Sequence, residues 1–206
     1  MTKTITLLFL LLTFPAYNQS RISAFFRLSG PEKCWTLTHL FKAGRAHRIT
    51  AYVRNETAIL YRKQELDTFH HGGKLDAFRH AFWMACLGTT IGEKASRKLG
   101  KAHEKGNYKA FRRGKTEDGF LQDETAVEMD LYNNEEGLRI ARENKDEAFS
   151  DLQQKTIAAI HEGKMKVMKR DAQGRLTDCD GNFLLLEERK KSDWKLPYCL
   201  LPSHVH

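Results

Sequence analysis

The chain has 206 residues, a formal net charge of +8, 41% hydrophobic and 29% charged residues. That is enough for one globular domain with a real core, and the absence of repeats or low-complexity runs excludes a fibrous or largely disordered chain. Four cysteines without a C-x-x-C spacing argue against a zinc knuckle or a thioredoxin-type motif.

Met1-Thr-Lys followed by ITLLFLLLTFPA, Ile5 to Ala16, has the n-region and h-region of a secretory signal peptide, expected over residues 1–20. The run is short for a membrane span, and no later segment is apolar enough to be one. Export, to the periplasm or the extracellular space, permits disulfides. Cys179 and Cys199 in the polar tail are the expected pair, and Cys86, within an apolar stretch, is expected as a buried free thiol.

An irregular segment, RLSGPEK at Arg27 to Lys33, is expected to lead into a helix from about Leu37 to Leu66, with Gly44 as a break or kink. The sequence HHGG at 70–73 closes it. A mostly apolar helix should follow from about Lys74 to Leu87, bracketed by Gly88 and Gly92. Next comes a basic amphipathic helix with Ile91, Ala95, Leu99 and Ala102 on one stripe and Gly106 as its expected stop. Further helices are expected from about Leu121 to Arg142 and from about Glu147 to His161. The tail then alternates Met165, Val167 and Lys169 against Lys166, Met168 and Arg170, and the turns DAQG and DCDGN suggest a small β-hairpin. The expected fold is mainly α: a helical single domain over 21–163, with a β-hairpin and irregular C-terminal extension over 164–206.

Charge is unevenly distributed. From Glu93 to Lys115 nine Lys/Arg stand against two Glu, and from Thr116 to Gly163 thirteen Asp/Glu stand against four Lys/Arg. The two blocks either face each other or solvent, or the basic one meets an anionic partner such as phospholipid, nucleic acid or cell-wall polymer. Tyr108 and Phe111 alone are too few aromatics for a single-strand stacking platform.

The stretch HHGGKLDAFRHAFWMACLG carries the chemistry. On a helical wheel Leu75, Phe78, Phe82 and Ala85 form one apolar sector, and Asp76, Arg79, His80 and Trp83 share the adjoining one. A helix apolar nearly all round is buried, so its polar residues should lie inside or on the floor of a cleft. Asp76 and His80 are i,i+4 neighbours. One reading is structural: Asp76 pairs with Arg79 and His80 bonds nearby. Two further stretches favour a site. His103 and Glu104 end the basic helix, and EMDLYNNEEG (Glu128 to Gly137) places Asp130 and Asn134 at i,i+4 beside an apolar stripe. Asn133 and Asn134 in mid-helix each cost about 0.5 kcal/mol against Ala, so a ligand or a buried network should compensate.

These motifs, GGKLDAFRHAFWMA, AHE and EMDLYNNEEG, resemble an uncharacterised bacterial domain family with D-A-F-R-H-A-x-W, A-H-E and M-D-L-H-N-N-x-x-G. The likeness covers about Gly72 to Ala141 (motif core 72–141), with Tyr132 where the family has His. It singles out Asp76, Arg79, His80, Trp83, His103, Glu104, Asp130, Asn133 and Asn134, but implies no reaction. RHAFW also faintly resembles bacterial phospholipase A2, with Ala81 in place of that family's metal-binding Asp.

The expected function is that of an exported hydrolase acting on a phosphodiester or ester of an anionic lipid or polymer. His80, Asp76, Arg79, His103 and Glu104 are the candidate catalytic residues, and Asn133 and Asn134 are candidate cofactor-binding residues. Asp76, His80, His103 and Asp130 are candidate ligands of a divalent metal ion. The alternative is a non-enzymatic exported domain with a structural polar facet and a basic block that binds an envelope partner. Convergence of these residues on a reachable cleft would favour the enzyme.

Overall fold

A computed structural model describes residues 23–115, 122–183 and 194–205. The expected signal peptide and the expected helix start at Leu121 lie outside these residues. Segment 27–33 is not irregular throughout: Ser29 caps helix α1, Gly30–Thr38. Its hydroxyl accepts from Glu32 N–H, and Glu32 Oε2 accepts from Ser29 N–H at 2.8 Å. This is a capping box, with Pro31 in the first turn.

Helix α2, Leu40–Lys63, is separated from α1 at His39, whose φ of −131° breaks the ladder. The break is therefore not at Gly44, which lies inside α2. Thr38 Oγ1 donates to the Cys34 and Trp35 carbonyls and ends α1 by satisfying groups that the next turn would have used. Gln64, in the left-handed region, ends α2 well before HHGG.

Helix α3, Lys74–Ile91, is longer than expected, since Gly88 lies within it and Gly92 (φ 87°) ends it. Helix α4, Glu93–Phe111, likewise runs through Gly106, which is buried where a Cβ would meet Ser29 Oγ at 2.5 Å. Gly106 serves a close approach to the α1 cap and does not stop the helix. Asp123 caps α5, Glu124–Glu143, by accepting from Ala126 N–H at 3.0 Å. Helix α6, Phe149–His161, buries Leu152, Thr156 and Ile160.

Helix α3 is the centre of the domain and packs against α2, α4, α5 and α6. Leu75, Phe78, Phe82, Met84 and Leu87 are wholly buried. The α3–α5 crossing is very close: a Cβ at Gly137 would lie 2.1 Å from Ala81 O, and one at Gly88 would lie 2.6 Å from Ala141 Cβ.

The tail forms a two-stranded sheet but not the expected local hairpin. Strand β1, Lys166–Met168, pairs antiparallel with β2, Leu200–Pro202, with Val167 opposite Leu201. The DAQG turn closes only an isolated bridge, Arg170 to Leu176, and DCDGN another, Thr177 to Phe183. Tyr198 and Leu200 explain the choice of partner. They pack with Met168, Leu176, Ala126 and Met129 in a small second core, to which the RLTD segment contributes Leu176 alone. Cys179 and Cys199 form the disulfide, and Cys86 is a buried free thiol. No helix among the described residues is long and apolar enough to cross a membrane.

Candidate functional site

Asp76 lies in the first turn of α3, and its position is set from outside the helix. Gly72, with φ 70°, turns the chain so that its N–H donates to Asp76 Oδ2 at 2.7 Å. Met168 N–H in turn donates to Gly72 O at 2.7 Å, so β1 holds the turn that holds Asp76. Asp67 caps α3 from a distance, accepting from Lys74 and Leu75 N–H groups.

Arg79 Nη2 donates to Asp76 Oδ1 at 2.6 Å and lies 3.3 Å from His80 Nε2. His80 Nε2 is 3.6 Å from Asp76 Oδ1 and 3.4 Å from Asp130 Oδ1, which α5 brings across the close crossing. One ligand atom from each of Asp76, His80 and Asp130 lies within 4.8 Å of the others, and all three side chains are buried. Burial alone would raise the Asp76 carboxyl above its usual range. The Arg79 charge, His80, His71 and the Gly72 N–H together outweigh it, so the pKa is lowered. Arg170, which donates to the His71 carbonyl, also lies within electrostatic reach of Asp76, so Arg79 is not the only guanidinium acting on the cluster.

The other expected residues divide. His103 does not join the three-residue cluster: its Nδ1 pairs with Glu32 Oε1 at 3.0 Å, and its ring centroid is 6.2 Å from that of His80. His103 packs edge-on to Trp83 at 5.6 Å, and Trp83 Nε1 donates to Thr50 Oγ1 at 2.9 Å. Arg79, Trp83 and His103 are half-buried and form a rim above the buried cluster. Glu104 is buried and accepts from Asn107 Nδ2 at 3.0 Å. Asn133 gives both ends of its amide to the Lys166 backbone at 2.9 Å, so it fastens β1 to α5. Asn134, one turn after Asp130, is buried against Gly100 and Met84, and neither end of its amide has a hydrogen-bond partner among the described residues. Glu32, Gly72 and Thr50 were not anticipated as partners. Only Glu32 had a local signal, the S-x-x-E of its capping box.

The charged blocks partly face each other. Arg97 of α4 binds Glu135 of α5 through Nε and Nη2 at 2.7 and 2.8 Å, and Glu93 pairs with Arg97 and Arg142. Lys94, Lys98, Lys101, Lys105 and Lys109 remain exposed along α4. Two surface hollows, of about 250 and 270 Å³, lie between α5 and α6 and at the α1–α2 corner, and neither opens on the cluster.

Fold and site define a helical domain built around a buried Asp–His–Asp cluster beneath an Arg–Trp–His rim. The chain matches the family described as Domain of unknown function (DUF6973) over residues 33–165, and it belongs to that family. No curated protein and no solved structure matches it.

Proposed function

We propose that the domain is an exported hydrolase whose Asp76–His80–Asp130 cluster holds a divalent cation and whose Arg79 receives the anionic group of a phosphodiester or ester. The observation that supports this reading is the convergence of three donor atoms from two helices. Ligand atoms about 2.1 Å from a tetrahedral cation stand ~3.4 Å apart, close to the 3.4 and 3.6 Å separations around His80 Nε2. One nitrogen and two carboxylate oxygens suit a cation of intermediate hardness, such as Zn²⁺ or Mn²⁺. Such a cation would lower the pKa of bound water and polarise the substrate oxygen. Arg79, partly exposed above the cluster, would orient a phosphate, and Asp76, fixed by the Gly72 N–H, would keep its oxygen in place. Asn134 supplies a buried amide without a hydrogen-bond partner among the described residues, a group that a native structure seldom leaves unmet. The disulfide fits an oxidising compartment.

A second reading has its own observation. The cluster side chains are only 2–4% exposed, and Arg79 already neutralises part of the charge. That suits a metal-free polar network that fixes the register of α3 on α5, in a domain whose basic block binds an envelope partner.

Calorimetric titration of the chelator-stripped protein with Zn²⁺ and Mn²⁺ separates the two, read beside a panel of phospholipid, nucleic-acid and cell-wall substrates. The hydrolase reading expects one cation per chain, proton release on binding, and loss of binding and turnover in Asp130→Asn and His80→Asn. A wild type that binds no cation and turns over nothing, with His80→Asn melting far lower, would establish the structural network instead.

A further inference from the structure

The α1–α2 corner carries an apolar surface that the other described residues leave exposed. Leu37 is 61% exposed, Leu40 66% and Phe41 98%. A single exposed leucine needs no explanation, but three large apolar side chains within five residues of a helix break form a patch. The corner is held firmly despite its exposure. Trp35 stacks on His39 at 4.7 Å and donates to Ala95 O at 3.0 Å, and Lys42 Nζ donates to Ile91 O at 2.6 Å. The apolar side chains therefore project from a fixed support.

The charge beside this patch has one sign. From Lys33 to Asn55 the chain has five Lys/Arg and no Asp or Glu. Arg45 and Arg48 are exposed and follow Phe41 by one and two helical turns, on its side of α2. The opposite side of α2 is buried through Ala46, Ile49 and Val53. On the adjoining α3–α4 corner, Glu93 is committed to Arg97 and Arg142.

We infer that this corner docks on an anionic phospholipid bilayer, with Leu37, Leu40 and Phe41 entering the acyl boundary and Arg45 and Arg48 meeting headgroup phosphates. An almost fully exposed Phe41 stands clear of the domain, as entry into a fluid layer requires. Flanking cations in a stretch, Lys33 to Asn55, that contains no Asp or Glu match a negative lipid surface. This does not depend on the hydrolase reading, since the corner shares no residue with the Asp–His–Asp cluster.

The full chain is tested by co-sedimentation with vesicles of phosphatidylglycerol and phosphatidylcholine, and of phosphatidylcholine alone. Wild type should bind the anionic vesicles and bind the neutral ones far more weakly. Phe41→Ser with Leu40→Ser, and separately Arg45→Gln with Arg48→Gln, should each weaken anionic binding by roughly tenfold or more, with unchanged melting. Several outcomes would overturn the inference. If wild type fails to bind, no bilayer is recognised. If the Phe41 and Leu40 pair binds as wild type does, the exposed α4 lysines or the apolar stretch at residues 5–16 carry the binding. If that pair melts much lower, or loses a dimer that wild type forms, the patch is covered by the chain's own apolar stretch or by a second copy.

Discussion

Gly137→Ala tests whether the α3–α5 crossing makes the site. The added methyl carbon would lie 2.1 Å from Ala81 O, where ordinary contact begins at 3.4 Å, so the helices must part by about 1.3 Å or the backbone must distort. Overpacking of this kind costs typically ~1–3 kcal/mol, and a backbone oxygen, which no rotamer change can move, puts this case at ~3 or more. Alanine's helix propensity returns about 1 kcal/mol. The expected net loss is about 2 kcal/mol or more, a fall in Tm of at least about 4–8 °C for a chain of this size. Asp130 lies two helical turns before Gly137 on α5, and His80 is next to Ala81 on α3. Parting the helices therefore lengthens the 3.4 Å His80–Asp130 approach, and cation affinity should drop together with stability. Thermal melting and metal calorimetry on the same sample read both effects. Gly44→Ala is the control: nothing lies within 4 Å of a Cβ there, so it should stabilise by about 0.5–1 kcal/mol. A Gly137→Ala protein that melts at or above wild type would refute the close crossing and this account of how Asp130 reaches His80.

Other expectations follow from the same geometry. Asp76→Asn strips Arg79 and the Gly72 N–H of their anionic partner and should cost about 2–3 kcal/mol of apo stability, more than His80→Asn, as ranked by denaturant melts. Burial pushes the Glu32 carboxyl up, but His103 and Ser29 outweigh it and hold its pKa below the usual value. That stability is present above the unfolded pKa, about 4.5, and is lost as pH falls through the folded value. Glu32→Gln should therefore flatten the acid limb of a Tm–pH profile, and an unchanged limb would exclude Glu32 as a source. Cys34 is exposed, whereas burial raises the Cys86 thiol strongly, so a thiol reagent should label one cysteine in the native protein and a second only after unfolding.

The central helix was legible because few of its side chains ask for water, and that same pattern placed Asp76 and His80 together on a buried facet. Their meeting with Asp130 depends on Gly137 lying against Ala81, a contact between residues 56 positions apart that no periodicity announces. The Asn pair was legible as an anomaly but not as a division of labour. Asn133 serves the Lys166 backbone and Asn134 points into the α3–α4 packing, a difference set by where β1 passes. The Ser29 cap had a complete local signature in S-G-P-E, which the expectation of an irregular segment there did not use. The turns DAQG and DCDGN are real turns, but a turn signal cannot say that the better strand partner arrives thirty residues later with Tyr198 and Leu200.

Economy of packing alone does not account for the Asp–His–Asp cluster. Replacing buried charged groups by apolar residues of similar volume is commonly neutral or stabilising, because their desolvation exceeds the attraction they recover. The rest of α3 follows that rule, with Leu75, Phe78, Phe82 and Met84 filling the centre. The exception falls where two helices approach most closely. There the domain adds a glycine turn to aim one N–H at Asp76, a guanidinium to balance one carboxylate, and an amide at Asn134 with no hydrogen-bond partner among the described residues. A network serving only to set register would be expected to close on itself, with each donor matched to an acceptor. This one has an amide one turn from Asp130 with no partner among the described residues and a partly exposed Arg79 at its edge, two features that support the proposed ligand over a register pin.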